Sequence, residues 1–286
     1  MRISSILLVL ISIVIFSVNV HFTEFENLID IVVDFVNSSS NFLYISSYSL
    51  NNKEVVFAIN NLVSKGVDVR VILEVPNKDL KCKVLKDFEK SLHHAKFMVN
   101  ENYVLFGSAN FTDSGLFDGY NDILLFEEQE KIENFKKLFL NIWNNGTVSG
   151  CKDFLVVGYD NVESELLKLI QSAKKRIYVC VYAFTNDKIL GLLKYKESKG
   201  IDVKIITDKW FESSKLNNYP LRNLVIVNDT MLHHKFIIVD DKVFTGSANF
   251  TVNGLNKNFE ISYVSKELTN KYLYVFEYLW RRYSDY

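Results

Sequence analysis

His93-His94-Ala95-Lys96-Phe97-Met98-Val99-Asn100-Glu101, followed by Gly107-Ser108-Ala109-Asn110-Phe111-Thr112, occurs a second time. The second copy is His233-His234-Lys235-Phe236-Ile237-Ile238-Val239-Asp240, followed by Gly246-Ser247-Ala248-Asn249-Phe250-Thr251. In each copy a His-x-Lys stands thirteen residues before the Gly, and four of the chain's five histidines fall in these two places. One such pair on a strand is an ordinary surface accident. Two pairs with the same trailing sextet at the same offset are not.

Residues 94–99 and 233–239 are apolar, β-branched or aromatic around the polar pair, which reads as a strand. Side chains alternate along a strand, so His94 shares a face with Lys96, and His233 shares one with Lys235. Asn100-Glu101-Asn102 and Asp240-Asp241-Lys242 supply turn residues, and the apolar run restarts after each. Each copy is therefore expected to be a β-hairpin that brings its Gly-Ser-x-Asn back beside its His-x-Lys. An imidazole, an ammonium, a hydroxyl and an amide on one surface suit a phosphate: charge, donors and a group able to attack or carry a proton.

The two stretches resemble the paired His-x-Lys-x4-Asp motifs of the phospholipase D superfamily, each with its Gly-Ser-x-Asn. The resemblance covers nearly everything after residue 20. It implies an α/β fold of two similar halves related by a pseudo-two-fold axis, with one active site built from both motifs. It also implies a phosphodiesterase needing no metal or other cofactor. His94 is the implied nucleophile, forming a phosphohistidine, and His233 the implied acid. Lys96, Lys235, Ser108, Ser247, Asn110 and Asn249 are expected to hold the phosphate oxygens. Asp122 and Glu260, each heading an apolar strand after the Gly-Ser-x-Asn, are the implied carboxylates behind the two imidazoles. Two departures stand out. Glu101 replaces the Asp of the first motif, where Asp240 keeps it in the second, and both hairpins are one residue short. Glu101 lies seven residues after His94, out of phase with the catalytic face, so it is expected to be a structural acid of the turn.

Working outward, each half repeats helix, strand, helix, strand. Residues 27–36, 42–48, 52–65 and 67–73 have this pattern in the first half, and Ser64-Lys65-Gly66-Val67-Asp68-Val69 returns as Ser198-Lys199-Gly200-Ile201-Asp202-Val203. Strand–helix–strand order implies parallel pairing through right-handed crossovers. Each half closes on a helix bearing Phe-x3-Trp, Phe139/Trp143 and Phe276/Trp280, read as core packing. The expected units are 1–20, 21–147 and 151–286. His93 and His234 are expected to face away from the site. The segments 74–92 and 207–232 are too short for a substantial lid, so an open cleft is expected.

The first unit is a different material. Ile3 to Phe16 is a run of 14 nearly all aliphatic residues, and the uncharged stretch reaches Val20. That length suits a signal-peptide core or, barely, a membrane span. Arg2 before it and Glu24, Glu26 and Asp30 after it favour an exported body. An uncleaved hydrophobic helix anchoring the body to a membrane is the first expectation, and a cleaved signal with a secreted body the second.

With 286 residues, 48% of them hydrophobic, the chain can bury a sizeable core. A net charge of −1 excludes the global basic field that drives non-specific duplex binding. The three cysteines show no zinc-site spacing. Cys180 sits in an apolar run, while Cys82 and Cys151 lie in polar stretches and are free to pair if the body is exported. Compact length and the Gly-Ser-Ala-Asn-Phe-Thr wording resemble the small endonuclease and mitochondrial-type branches, favouring a nucleic-acid substrate. The apolar leader favours the alternative, phospholipid headgroups. A silent phosphate-binding module is the third reading. Fusion of both motifs in one chain implies a monomer with an internal pseudo-dimer.

Overall fold

Asparagine opens four helices at matching places. Asn27 Oδ1 accepts from Ile29 N at 3.1 Å to start α1 (Leu28–Asn37), and Asn52 Oδ1 accepts from Val55 N at 3.0 Å to start α2 (Lys53–Ser64). The same caps recur 134 residues later (27 to 161, 52 to 186). Asn161 starts one helix (Val162–Gln171) and Asn186 the next (Asp187–Ser198). These are α4 and α5, because α3 (Gln129–Asn145) lies between; α7 (Thr269–Ser284) closes the chain after the short α6 (Val252–Asn256). The computed structural model describes residues 18–86, 91–219 and 221–284.

Two seven-stranded sheets carry these helices. The first holds β1 (Val18–Phe22), β2 (Phe42–Ser47), β3 (Asp68–Leu73), β4 (Lys83–Lys86), β5 (Phe97–Asn100), β6 (Val104–Gly107) and β7 (Asp122–Phe126). Its order is β1-β7-β6-β5-β2-β3-β4. The second holds β8 (Phe154–Val156), β9 (Arg176–Val181), β10 (Asp202–Asp208), β11 (Leu224–Val227), β12 (Lys235–Val239), β13 (Lys242–Gly246) and β14 (Ile261–Ser265). Its order, β8-β14-β13-β12-β9-β10-β11, is the same one repeated. Among the described strands, β2-β3-β4 and β9-β10-β11 pair in parallel, as the crossovers require. The expected hairpins are present as β5–β6 and β12–β13.

Three cores separate the layers. One lies between the first sheet and α1/α2, another between the second sheet and α4/α5. The third, shared by both halves, holds the inner faces of both sheets with α3 and α7. Phe154 of the second sheet meets Phe106 and Phe126 of the first, ring centroids 5.6 and 5.5 Å apart. Phe139 stacks on Trp143 and on Tyr44, and Phe276 on Trp280 and on Tyr178, so the paired aromatics are packing residues.

Two expectations change. Val18, Val20 and Phe22 turn inward from β1, which pairs antiparallel with β7 as β8 does with β14. The last residues of the apolar leader thus belong to the body as an edge strand, and the unit 1–20 does not end where expected. The expected hydrophobic helix falls on residues 1–17, outside the described residues. Among the described residues no helix is long and apolar enough to cross a membrane. The pairing of Cys82 with Cys151 is not formed: all three cysteines are free, with Cys151 and Cys180 buried.

Candidate active site

The two motifs meet because each half supplies the backing for the other's histidine. The backbone N–H groups of His94 and Ala95 donate to Phe259 O of the second half, and His233 N donates to Tyr120 O of the first. These bridges set His94 beside Glu260, Nδ1 to Oε1 2.8 Å, and His233 beside Asn121, Nδ1 to Oδ1 2.8 Å. Both histidines line one cleft of about 720 Å³. With Nδ1 held from behind, Nε2 is the ring nitrogen left to the cleft, and a held Nδ1 fixes the tautomer.

Asp122 was expected behind one of the two imidazoles of the cleft, and it is not there. The serine offset explains why. Glu260 lies thirteen residues after Ser247, and thirteen after Ser108 is Asn121. Asp122 is one residue further, so its side chain emerges on the other face of β7. There it takes Nδ1 of His234 at 2.8 Å and the Tyr272 hydroxyl at 2.8 Å. The second imidazole is therefore backed by an amide, the first by a carboxylate.

The serines also change role. Ser247 Oγ donates to Glu260 Oε2 at 2.6 Å and accepts from Ile261 N at 3.0 Å. Ser108 Oγ accepts from Asp122 N at 2.9 Å and lies 3.2 Å from Asn121 Oδ1 and 3.1 Å from Asp122 Oδ1. Both are fully buried; Ser247 gives its proton to Glu260, and Ser108 has Asn121 Oδ1 and Asp122 Oδ1 as acceptors. Neither is among the described residues that line the cleft. The preceding glycines are needed for this approach: a Cβ on Gly107 would stand 2.2 Å from Asp122 O, and one on Gly246 2.4 Å from Ile261 O.

Lys96 and Lys235 are fully buried. Lys96 Nζ donates to His94 O, and Lys235 Nζ to His233 O at 2.6 Å, so each ammonium keeps donors unspent. Asn110 lines the cleft, while Asn249 Oδ1 accepts from Ala183 N at 3.4 Å. Sequence reading missed two flanking rings. Tyr48 meets His94 edge-on at 5.6 Å, and Tyr182 meets His233 at 5.2 Å and lies 5.5 Å from Lys235 Nζ. Their signal was the repeat itself, since each follows the equivalent strand 134 residues apart (48 to 182).

The electrostatics are those of a cationic site short of an anion. Burial lowers Lys96 to about 7, only partly countered by Glu260. Burial and then Lys96 push Lys235 well below its usual value. Burial lowers His94 to about 4, against the pull of Glu260 and with help from Lys96 and, from the other half, Lys235. His233 falls well below 6.5 through burial, Lys235 and Lys96. Glu260 goes the other way. Burial raises it, but the His94 charge and hydrogen bond, with Lys96, hold it below the normal carboxylate range.

The remaining motif residues make their contacts outside the cleft. Glu101 Oε1 accepts from Ser40 N at 2.5 Å and Asn41 N at 3.1 Å, and Asp240 accepts from the backbone N–H groups of Lys174, Lys175 and Arg176 at 2.8–3.0 Å. Each acid ties its hairpin turn to the entry of the neighbouring central strand. His93 and His234 face away from the cleft: His93 Nε2 meets Ser46 Oγ at 2.7 Å, and His234 lies between Asp122 and Glu24, whose Oε1 is 2.7 Å from Nε2. Glu24 and Asp122 outweigh burial and raise His234 to about 9. Among the described residues no group of three or more His, Cys, Asp or Glu converges as metal ligands do.

The family model described as cardiolipin synthase, PLD-like domain, matches residues 32–143 and again 166–280. The chain is 30% identical over 134 residues to a mitochondrial cardiolipin hydrolase of Xenopus tropicalis, covering 44% of this chain and 64% of that protein. It is 31% identical over 113 residues to cardiolipin synthase 1 of Bacillus anthracis, covering 35% and 22%. It thus spans less than two thirds of either. In fold it is similar to the phosphatidylserine synthase of Haemophilus influenzae, TM-score 0.68 at 12% identity, over 89% of this chain and 84% of that one. It is also similar to the polyphosphate kinase of Porphyromonas gingivalis, TM-score 0.70 at 13% identity, over 91% and 50%. With the family model matched twice across most of its length and both motifs joined in one cleft, the chain belongs to the phospholipase D superfamily as a tandem-repeat member.

Proposed function

We propose that the protein is a phosphodiesterase whose two histidines divide nucleophile and acid, and that its substrate is a phospholipid headgroup diester and not one link of a phosphate polymer. The observation that carries the chemistry is the crossed backing of the two imidazoles: Glu260 of the second half behind His94, and Asn121 of the first half behind His233. His94 Nε2 attacks phosphorus, the N–P bond forms, and the P–O bond to the leaving group breaks. His233 gives its Nε2 proton to the departing oxygen, then takes one from the water that releases the product. An N-phosphorylated imidazole with Nδ1 protonated is cationic for its whole lifetime, which suits the histidine paired with a carboxylate. An acid that must surrender its proton suits the neutral amide. The diester's own charge restores protons to the lysines and to His233, and Lys96 and Lys235 hold the non-bridging oxygens.

The cleft wall favours an isolated diester over a polymer. Among the described lining residues none besides the two histidines is basic, whereas Asp113 and Asp118 are present. Phosphates flanking the scissile one in a nucleic acid would meet these acids. The named activity of the cardiolipin hydrolase relative points the same way. The test is hydrolysis, in EDTA, of cardiolipin or phosphatidylglycerol vesicles, single-stranded DNA, RNA and bis(p-nitrophenyl) phosphate. Release of headgroup from vesicles, with nucleic acids cut far more slowly, is expected. Cleavage of DNA or RNA with vesicles intact would overturn the lipid reading and keep the chemistry. Inertness toward all four would overturn both.

A further inference from the structure

The two halves of the repeat differ where their closing helices end. At the end of α7, Tyr283 donates to Asp229 Oδ1 at 2.7 Å and meets the Tyr120 hydroxyl at 3.0 Å, next to the second half's motif. Phe139 and Trp143 of α3 match Phe276 and Trp280 of α7 at an offset of 137, and the same offset from Tyr283 lands on Gly146 (283 to 146). Gly146 supplies no side chain at that place, and among the described residues a cavity of about 750 Å³ opens beside it, within the range of ligand sites.

Its lining is chemically divided. Ile72, Leu85, Val148 and Phe259 make an apolar wall, and the exposed Lys86 and Lys257 stand at the rim. Trp143 is not offered as a stacking platform: it is already stacked on Phe139 at 5.7 Å, with the Arg70 guanidinium over its ring at 5.8 Å. A narrow apolar chain with a negative head matches this wall and rim better than a nucleobase does. The cavity is also separate from the catalytic cleft. Ser91 and His93 line it, while Leu92 and His94 line the cleft, so the segment bearing His94 is the partition between them.

We infer that this cavity, left open by Gly146, is an accessory site for an anionic single-chain amphiphile, with its acyl chain against Phe259 and Val148 and its head at Lys86 and Lys257. The site goes beyond the phosphodiesterase reading, and its occupancy is read by binding, not turnover.

Oleate below its critical micelle concentration, titrated by calorimetry into the full chain, tests it. Saturable binding near one per chain is expected, unchanged when tungstate fills the catalytic cleft. Val148→Trp, which fills the cavity, should weaken binding tenfold or more. Because that variant can fail to fold, the exposed pair Lys86→Glu with Lys257→Glu serves as a second arm, with a loss of similar size. Binding unaffected by either variant, displacement of oleate by tungstate, or tighter Val148-dependent binding of a nucleoside monophosphate would each overturn the assignment. Failure of lipid hydrolysis would leave it standing.

Discussion

Replacing Lys96 by Met should stabilise the protein, and the gain should depend on pH. The ammonium is fully buried and held at about 7 against 10.5 when unfolded. A folded pKa below the unfolded one means that folding expels the proton. The penalty is absent above about pH 10.5, grows by about 1.4 kcal/mol per unit as pH falls, and levels off below about 7. It amounts to about 5 kcal/mol at pH 6 and about 1–2 kcal/mol at pH 9.5, a difference of roughly 3 kcal/mol. Loss of the hydrogen bond to His94 O offsets about 1 kcal/mol at every pH and drops out of that difference. Urea unfolding of both proteins at pH 6 and 9.5 measures it. The variant's advantage should be larger at pH 6 by about 2–3 kcal/mol, while its turnover is nearly abolished. An advantage that does not change with pH, or destabilisation at both, would show that the ammonium is a structural clamp and that the site is not waiting for an anion.

Three further outcomes follow from neighbouring contacts. His234 has the opposite sign: raised to about 9 by Glu24 and Asp122, it contributes stability that is full below about pH 6.5 and lost as pH rises through about 9. His234→Gln should therefore cost about 3 kcal/mol at pH 6, with the deficit shrinking by pH 9.5 in the same unfolding assay; a constant deficit would contradict the buried ion pair. Asn121→Asp places a carboxylate behind His233, so the basic limb of the pH–rate profile should move upward while His94-dependent burst kinetics persist; an unmoved limb would mean that Asn121 does not govern the acid. Glu101→Asp should keep activity within a few-fold, whereas Glu101→Ala should lower stability by about 1–3 kcal/mol through the lost bonds to Ser40 and Asn41; a large gain in turnover from Glu101→Asp would make the acid part of the chemistry.

Most of the architecture was written in the repeat. The recurring Ser-Lys-Gly and the doubled motif predict two equal α/β halves, and both sheets have one strand order. What failed did so for local physical reasons. The apolar leader was read as one element because a hydrophobic run hides where it ends. Yet Val18, Val20 and Phe22 alternate with Asn19 and His21, the period of a strand with one buried face. Asp122 was chosen for its charge, and a carboxylate one residue out of register lies on the wrong face; counting from Ser108 reaches Asn121. The serines could not be assigned from sequence at all, since the direction in which a hydroxyl spends its proton is a property of the packed site. Glu101 was set at the turn by strand phase alone, and its carboxylate meets the backbone of Ser40 and Asn41 there.

The division of labour between the histidines is tested most directly by trapping the covalent step. Bis(p-nitrophenyl) phosphate has a leaving group that departs without a proton, so His233→Ala should still be attacked by His94 but should lack the base that activates water. A stoichiometric burst of p-nitrophenolate is expected, with a p-nitrophenyl phosphoryl group on His94 found by peptide mass mapping at neutral pH, and no adduct in His94→Ala. An adduct on His233 in His94→Ala, with none on His94 in His233→Ala, would reverse the two roles. Turnover by the unaltered protein with no adduct in either variant would contradict the phosphohistidine itself.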